Sequence, residues 1–276
     1  MRARRTRCAC GLGESSSVQR MDLPIVVRIR RAKPIAIALS AAVIIVASAS
    51  ASIAVPDSTR SPVGTGQWVE QIGTYDSLVS PDYDGLVPIS AASSGATLGL
   101  GTFDQLDGEM VLVGGVIYRV GTDGVPVKVP ASLTTPFFEG IRFQPELSGP
   151  VAPGTTCANL VAAVNALSGT DSGIVAVRLR GTFTDVVTRS VPAQRPPFAP
   201  LSQVVAGQTV FPLGQRKAVL VGFRTAPDLA GTGAPGLHLH GLTADRSAGG
   251  HVLSCVAGSD VQLSVQRAEG VRIHAG

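Results

Sequence analysis

Short apolar runs separated by glycine-containing turns are the feature that most constrains how this chain can fold. Three runs of five to seven residues follow one another at 97–103, 109–113 and 115–120. Gly114-Gly115 and Asp123-Gly124 lie between or just after them, and both dipeptides are typical of hairpin turns. Runs this short suit strands, whereas helices usually need ten residues or more. We therefore predict a meander of antiparallel strands from about residue 67 to residue 145.

Helical spacing is much rarer in this sequence. The best example is the segment 155–168, which places its apolar residues on one face and offers Thr155 or Thr156 as a candidate N-cap. Strand patterns then return at 174–183, 186–191, 218–223, 237–242, 251–257 and 261–266. The sequence predicts an α+β fold that is strand-rich, with mixed or antiparallel sheets and few helices.

The charge of the chain is concentrated in its first residues. Of the 23 Lys and Arg residues, nine lie within 1–33, together with two of the 19 Asp and Glu residues. The remaining 243 residues therefore carry 14 basic and 17 acidic groups. Nucleic-acid binding needs a basic face on the folded body. This balance indicates no nucleic-acid partner.

The segment 1–55 has the organisation of an export leader. Arg28, Arg30, Arg31 and Lys33 precede the uncharged stretch 35–55, which ends in small residues. A positive flank, an apolar stretch and small residues at the cleavage positions are typical of a secretory signal. The alternative is a retained membrane anchor, because 21 uncharged residues are just long enough to span a bilayer. We expect an exported protein, secreted or anchored at the outer face, with a linker at 56–66.

Two of the four cysteines, Cys157 and Cys255, lie in the body. They can pair in an oxidising compartment, but two separate buried thiols fit the sequence equally well. We do not count them as a functional site.

Three of the four histidines of the chain lie within fourteen residues of one another. His238 and His240 have the i, i+2 spacing that points two side chains to the same face of a strand. His251 follows a turn-rich connection, so an antiparallel return would bring it beside that pair. Three His ligands with a fourth position open are typical of a catalytic zinc site, and zinc is the default metal where no redox ligand accompanies them. His274 has the spacing of an ordinary surface or core residue.

The sequence around these histidines resembles the zinc motif of acetolactate decarboxylases. The resemblance extends to further blocks in the same order along the chain, and it covers about residues 67–273. These blocks are Gly236 to His240 with Asp245-Arg246 and Gly249 to Leu253, Gly101 to Met110, Gly181-Thr182-Phe183 with Thr188 to Val191, Thr135-Pro136-Phe137, and Leu220 to Phe223.

The resemblance implies an acetolactate decarboxylase-like domain at 67–276, with a strand-rich part at 67–150 and a zinc-binding part at 151–276. His238, His240 and His251 would hold Zn²⁺, which acts as a Lewis acid while (S)-2-acetolactate loses CO2 and becomes (R)-acetoin. Glu109 matches the active-site carboxylate of the family, a candidate zinc ligand and proton carrier. Arg189 matches its active-site arginine, which binds substrate, and Thr102 is a substrate-contacting hydroxyl. The family also implies a homodimer.

One part of the family pattern has no counterpart here. Family members continue into a C-terminal segment that returns a second glutamate to the zinc, and neither Asp260 nor Glu269 matches that glutamate. The expectation is therefore threefold: a slower enzyme, a secreted zinc-binding relative without turnover, or a sequence that stops short. A metallohydrolase that uses zinc-bound hydroxide is a further alternative.

Overall fold

The computed structural model describes residues 25–28 and 67–274. Strands dominate the described residues, and the four α-helices are short. The helices are α1 (Tyr75–Val79), α2 (Ser90–Ser93), α3 (Leu160–Ser168) and α4 (Leu201–Ala206). The strands are β1 (Ile25–Arg28), β2 (Val69–Ile72), β3 (Val87–Pro88), β4 (Leu98–Thr102), β5 (Glu109–Val113), β6 (Val116–Val120), β7 (Pro126–Lys128), β8 (Thr134–Thr135), β9 (Phe138–Ile141), β10 (Leu147–Pro150), β11 (Ile174–Ser190), β12 (Thr209–Pro212), β13 (Arg216–Thr225), β14 (Gly236–Thr243), β15 (Gly249–Ala257), β16 (Gln262–Arg267) and β17 (Gly270–His274).

The first sheet has eight strands in the order β1-β17-β2-β9-β4-β5-β6-β7. The predicted meander forms half of this sheet, where β4, β5, β6 and β7 are joined by successive antiparallel pairings. The pairing of β17 with β2 is parallel, so the sheet is mixed. The predicted fold class is confirmed in both its strand content and its sheet types.

The second sheet has seven strands and closes on itself. Its main order is β10-β16-β11-β13-β14-β15, with β12 paired to β11. The long strand β11 pairs with β13 along its first half and with β15 along its second half. A ring of β11, β13, β14 and β15 results. This closure brings the start of β15 between β14 and the end of β11, where the candidate site lies.

Two local predictions differ from the structure. The segments 174–183 and 186–191 form one strand, because β15 takes over the pairing of β11 through a register shift between Phe183 and Asp185. The predicted helix is shorter, with a 3₁₀ turn at Cys157–Asn159 before α3. Neither Thr155 nor Thr156 caps it, since the Thr155 hydroxyl donates to the Ala152 carbonyl and Thr156 makes no capping bond.

The largest core cluster lies between the two sheets. Leu100 and Val111 of the first sheet and Val221 and Phe223 of the second are at most 1% exposed. Burial of this apolar surface at about 25 cal/mol per Å² is what holds the sheets together. The site is built from both sheets and therefore depends on this packing.

Cys157 and Cys255 form a disulfide, with their Cα atoms 5.0 Å apart. The bond ties the turn before α3 to β15, the strand that also carries His251. The sequence left open whether these cysteines pair or are two separate thiols, and the structure shows that they pair.

The leader and linker predicted for 1–66 lie outside the described residues, apart from Ile25–Arg28, which pairs with β17 at the edge of the first sheet. No helix within 67–274 is long and apolar enough to cross a membrane. The division at residue 150 stays a prediction; β10 joins the second sheet and β17 returns to the first.

Candidate metal centre

Three imidazoles converge at the junction of β14 and β15. His238 Nε2 lies 3.2 Å from His251 Nδ1, and His251 Nδ1 lies 3.3 Å from His240 Nε2. The three ligand atoms all lie within 4.8 Å of one another. Three ring nitrogens this close together could hold one metal ion.

Strand periodicity and register together produce this convergence. His238 and His240 share a face of β14, as alternate residues of a strand do. His240 lies directly opposite His251 in the β14–β15 pairing. Gly250, with φ of 130°, passes so close to Arg189 that an added Cβ would lie 2.4 Å from its carbonyl oxygen. The close approach allows β15 to fit between its two neighbours.

The first sheet orients one of the imidazoles. His240 Nδ1 lies 2.7 Å from the carbonyl oxygen of Met110 on β5. A carbonyl can only accept, so Nδ1 carries the proton and Nε2 presents its lone pair to the cluster. This is the outer hydrogen bond that metal-binding histidines usually make. The sequence motif contains no sign of it, because Met110 is 130 residues away.

Burial keeps the three histidines neutral. Loss of solvent, together with the nearby positive charge of Arg189, lowers the pKa of His238 to about 3. Burial is also the main reason that the pKa values of His240 and His251 lie well below 6.5. Neutral imidazoles are the form that binds metals. The donor set of three nitrogens fits zinc, and it also fits other first-row divalent ions.

Glu109 and Arg189 lie beside the three histidines. Glu109 Oε2 is 3.4 Å from His240 Nε2, and Glu109 Oε1 forms an ion pair with the Arg189 guanidinium. Arg189 is the register partner of His251 in the β11–β15 pairing, which explains how it reaches the site. Burial raises the pKa of Glu109, and the charge of Arg189 offsets part of that effect. The carboxyl group is thus poised to hold or release a proton next to the histidines.

Thr102 completes the set of predicted site residues. It lies opposite Glu109 in the β4–β5 pairing, and its hydroxyl donates to the Gly108 carbonyl at 2.8 Å. The donated proton is used in that bond, so the oxygen can only accept from a ligand. The structure therefore brings all six predicted residues together, while their roles stay a prediction.

The six residues line one cavity of about 400 Å³. Its polar end is formed by the site residues, and its other walls are mainly apolar. Those walls are lined by Tyr75, Leu78, Leu106, Phe137, Val191, Leu201, Val205, Ala234, Pro235 and Leu237. A cavity with a polar end and apolar walls suits a small molecule that carries both polar and apolar groups.

Sequence reasoning missed these walls. Leu106 is buried in left-handed conformation, with φ of 58°, in the turn that precedes Glu109. Tyr75 and Pro235 come from segments with no motif. The signal that the sequence did offer was that four wall residues lie within the blocks of the family resemblance: Leu106, Phe137, Val191 and Leu237. His274 lies elsewhere, with Nε2 2.9 Å from the Glu70 carboxylate, as its spacing suggested.

Comparison with known families supports the resemblance in the sequence. The family model described as alpha-acetolactate decarboxylase matches residues 69–276. A protein of Methanosarcina mazei with that name is 37% identical over 183 residues, which are 66% of this chain and 64% of the relative. One of Klebsiella aerogenes is 33% identical over 185 residues, which are 67% of this chain and 71% of the relative. The chain thus spans just under two thirds of the length of the first relative.

Comparison with solved structures gives the same family. The alpha-acetolactate decarboxylase of Bacillus subtilis strain 168 superposes with a TM-score of 0.71 at 28% identity. The match covers 75% of this chain and 88% of that one. A Staphylococcus aureus protein described as similar to alpha-acetolactate decarboxylase also has a TM-score of 0.71, at 25% identity.

Proposed function

This chain belongs to the alpha-acetolactate decarboxylase family, and from that premise we propose that it converts (S)-2-acetolactate to (R)-acetoin and CO2 with the help of a zinc ion. One observation carries the proposal: three convergent histidines, a buried carboxyl group and an arginine line the same cavity. The proposed ligands of the ion are His238, His240 and His251, with Glu109 close enough to join them.

The reaction has two electrostatic demands. When the carboxylate of acetolactate leaves as CO2, the electron pair moves onto the neighbouring carbonyl as an enediolate, which then takes one proton at carbon. A bound divalent ion supplies a Lewis-acid charge that favours the developing negative charge. The protein must therefore place a cation near the carbonyl oxygen and a proton donor near the reacting carbon.

Glu109 is the residue suited to move the proton. Burial raises its pKa, so the protonated form is populated nearer neutral pH than for an exposed glutamate. Its second oxygen pairs with Arg189, which holds the carboxyl in one orientation. The group can deliver a proton to the enediolate and recover one from solvent between turnovers.

Arg189 and Thr102 would orient the substrate. The guanidinium presents several N–H donors in one plane, which suits a carboxylate or an enediolate oxygen. One of its five N–H groups donates to Glu109, so others remain for a ligand. The Thr102 oxygen can accept from the tertiary hydroxyl of acetolactate. These contacts would hold the departing carboxylate in the polar end of the cavity.

Two other functions were left open by the sequence. A zinc-binding relative without turnover needs the fold and the three histidines only, yet this chain also has Glu109 and Arg189 in the cavity. A metallohydrolase would attack an ester or a peptide instead. The carboxyl and arginine beside the histidines favour the decarboxylase.

The test is acetoin formation from racemic 2-acetolactate by the full chain, with and without a chelator. We expect turnover that the chelator removes and added zinc restores. His240→Ala should abolish it, whereas His274→Ala, the matched change outside the cluster, should not. Zinc bound without acetoin formation would contradict the proposal, and hydrolysis of an ester or peptide panel would favour the hydrolase.

We further propose that the body is exported and forms a homodimer. The leader pattern and the disulfide support export, because disulfides persist mainly in oxidising compartments. Cell fractionation with N-terminal mass spectrometry tests export and distinguishes a cleaved leader from a retained anchor. Sedimentation equilibrium of the purified protein tests the dimer; a monomer at micromolar concentration would contradict it.

A further inference from the structure

A second buried carboxyl group, Glu139, lies outside the site described above. It is on β9 between the two sheets and is 0% exposed. Neither of its side-chain oxygens has a hydrogen-bond partner within the described part of the chain. An ionised carboxylate without donors in a dry interior is among the costliest arrangements in a protein.

The residue opposite Glu139 explains how this arrangement is stable. Gln71 is its register partner in the β2–β9 pairing and is also 0% exposed. Gln71 Nε2 donates to the Gly73 carbonyl at 2.8 Å and to the Thr232 carbonyl at 2.7 Å, which uses both of its protons. Its Oε1 has no partner. Gln71 Oε1 and the Glu139 carboxyl therefore lie on the same face of adjacent strands, and both are hydrogen-bond acceptors. Of the two groups, only the carboxyl can bind a proton and so donate a hydrogen bond to the other.

The pair adjoins the segment 231–235, which forms one wall of the cavity. A Cβ added to Gly233 would lie 2.6 Å from Glu139 Oε1 and 2.9 Å from Thr225 Oγ1, so the backbone passes directly over the carboxyl group. The Thr232 carbonyl, which Gln71 holds, also accepts from the amide of Tyr75. Tyr75, Ala234 and Pro235 all line the cavity.

We propose that Glu139 is a neutral carboxylic acid that donates its proton to Gln71 Oε1, and that this buried pair is a positioning device for the 231–235 wall of the cavity. Ionisation of Glu139 breaks the bond and places a bare charge against Gly233. The wall and the Tyr75 backbone then loosen together.

Among the described residues, no charged group lies where it could hold Glu139 ionised. It faces Gln71 on β2, Leu100 on β4, Thr225 on β13 and Gly233. The charged side chains of these and adjoining segments have other neighbours. Glu70 pairs with Arg272 and His274, and Arg224 donates to the carbonyls of 170–173. Asp76 lies beside Gly231. Burial alone raises the pKa of Glu139 to about 8.

Unfolding measurements test the protonation without any assay of activity. Unfolded Glu139 loses its proton near pH 4.5, whereas the folded residue keeps it to about pH 8. As the pH rises through that interval, the folding equilibrium constant of the wild type should therefore fall relative to that of Glu139→Gln, by up to about tenfold per pH unit. Above about pH 8 the difference between the two proteins should stay constant. Glu269→Gln, an exposed carboxyl near the edge of the same sheet, is the matched control and should run parallel to the wild type.

A spectroscopic titration covers the case in which Glu139→Gln fails to fold. Of the carboxyl groups that the structure describes, Glu109 is the other one whose pKa burial raises, so the Glu109→Gln protein isolates the signal of Glu139. Its infrared spectrum should contain a protonated carboxyl band that disappears with a midpoint near pH 8. Absence of that band at pH 6, or unfolding curves of wild type and Glu139→Gln that run parallel, overturns the proposal.

Hydrogen exchange tests the positioning. Three backbone amides make hydrogen bonds in or to the segment 231–235. The amides of Tyr75 and Asp76 donate to the carbonyls of Thr232 and Gly231, and the amide of Thr232 donates to the Leu229 carbonyl. Peptides covering 74–78 and 230–236 should exchange at similar rates in wild type and Glu139→Gln at pH 6.5, and faster in the wild type at pH 9. Equal rates at both pH values would overturn the positioning role.

The link to catalysis rests on the proposed function. If the wall positions acetolactate, the wild type should lose kcat/KM above pH 8 mainly through KM, and Glu139→Gln should retain it. If kcat/KM of Glu139→Gln falls above pH 8 in the same way as that of the wild type, the link is overturned. If no variant forms acetoin, the proposed function fails, while the unfolding, infrared and exchange measurements still decide the role of Glu139.

Discussion

At the scale of single residues, the site depends on how burial changes the protonation of its groups. The same loss of solvent lowers the pKa of the histidines and raises that of Glu109. Both shifts favour the neutral form of each group. The cavity thus offers neutral ligands and a carboxyl that can carry a proton, in contact with one cation, Arg189.

Glu109→Gln should reduce kcat for acetolactate by about 10²- to 10⁴-fold, because the amide keeps the shape of the side chain but cannot transfer a proton. Bound zinc, measured by mass spectrometry, should stay close to one per chain, since the three histidines remain. Glu146→Gln changes another buried carboxyl that pairs with an arginine, Arg267, and should leave kcat unchanged. Wild-type turnover in Glu109→Gln would exclude its role as proton carrier.

The three histidines should contribute less to the stability of the metal-free protein as the pH falls below 6.5. The folded pKa values of the three histidines lie below that of an unfolded imidazole, about 6.5, so the unfolded chain gains protons first. Their contribution is complete above pH 6.5 and is lost below it, by up to about 1.4 kcal/mol per group and pH unit. Urea unfolding with chelator at pH 7.5 and 5.5 measures this loss.

His238→Gln removes one of these titrating groups and should flatten the dependence. His274→Gln, which leaves the cluster intact, should not. A His238→Gln protein whose stability changes between pH 7.5 and pH 5.5 just as that of the wild type does would contradict the buried, neutral state of the cluster.

At the scale of elements, β13 shows how closely the strands around the site must approach. A Cβ added to Gly222 would lie 1.9 Å from the carbonyl oxygen of His238, its neighbour on β14. Leu239, not His238, is the register partner of Gly222, so the clash falls on the strand backbone that carries the ligands. A side chain here must push β14 away.

Gly222→Ala should therefore weaken zinc binding by at least tenfold and lower the melting temperature, since the shift displaces His238 from the other two ligands. Gly149→Ala is the matched control on β10, where an added Cβ meets only Leu167 at 3.7 Å. Competition with a fluorescent zinc chelator measures the affinity. Equal affinities of the two variants would contradict the argument.

The disulfide acts at the same scale, because it joins segments 98 residues apart in sequence. Closing a loop of that length in the unfolded chain stabilises the fold by about 2–5 kcal/mol. Reduction should lower the urea midpoint of the wild type accordingly. The Cys157→Ser, Cys255→Ser double variant should start at the lower midpoint and be insensitive to the reductant; a wild type unaffected by reduction would contradict a stabilising role.

At the scale of the whole molecule, the site is divided between two sheets that must fold together. Thr102, Glu109 and the Met110 carbonyl come from the first sheet, and the histidines with Arg189 come from the second. The interface between the sheets is the largest buried apolar cluster. Metal binding to the second sheet should therefore stabilise the first.

Trp68, the single tryptophan, reports on the first sheet, where Arg272 stacks on its ring at 4.8 Å. Zinc at about 100 times its dissociation constant should stabilise the fold by about 2.7 kcal/mol. The transitions followed by Trp68 fluorescence and by far-UV circular dichroism should shift together. A shift in circular dichroism alone would show that the sheets unfold separately.

The sequence by itself determined the local features of this protein. The alternation along β14 places His238 and His240 on one face, and the turn-rich connection after it returns His251 to them. Short apolar runs with glycine turns determined the strand-rich class, because side-chain period and turn chemistry act over a few residues. The family resemblance then identified Glu109, Arg189 and Thr102 by their motifs, not by any physical pattern.

Only the tertiary structure decided which distant groups meet. Glu109 reaches Arg189 across 80 residues, and His240 reaches the Met110 carbonyl across 130. The burial of Glu139 opposite Gln71, and the cavity walls at Tyr75 and Pro235, follow from the packing of one sheet on the other. Periodicity states which face of a strand is buried; it does not state what lies against that face, because that contact is set by the fit of side chains far apart in the chain.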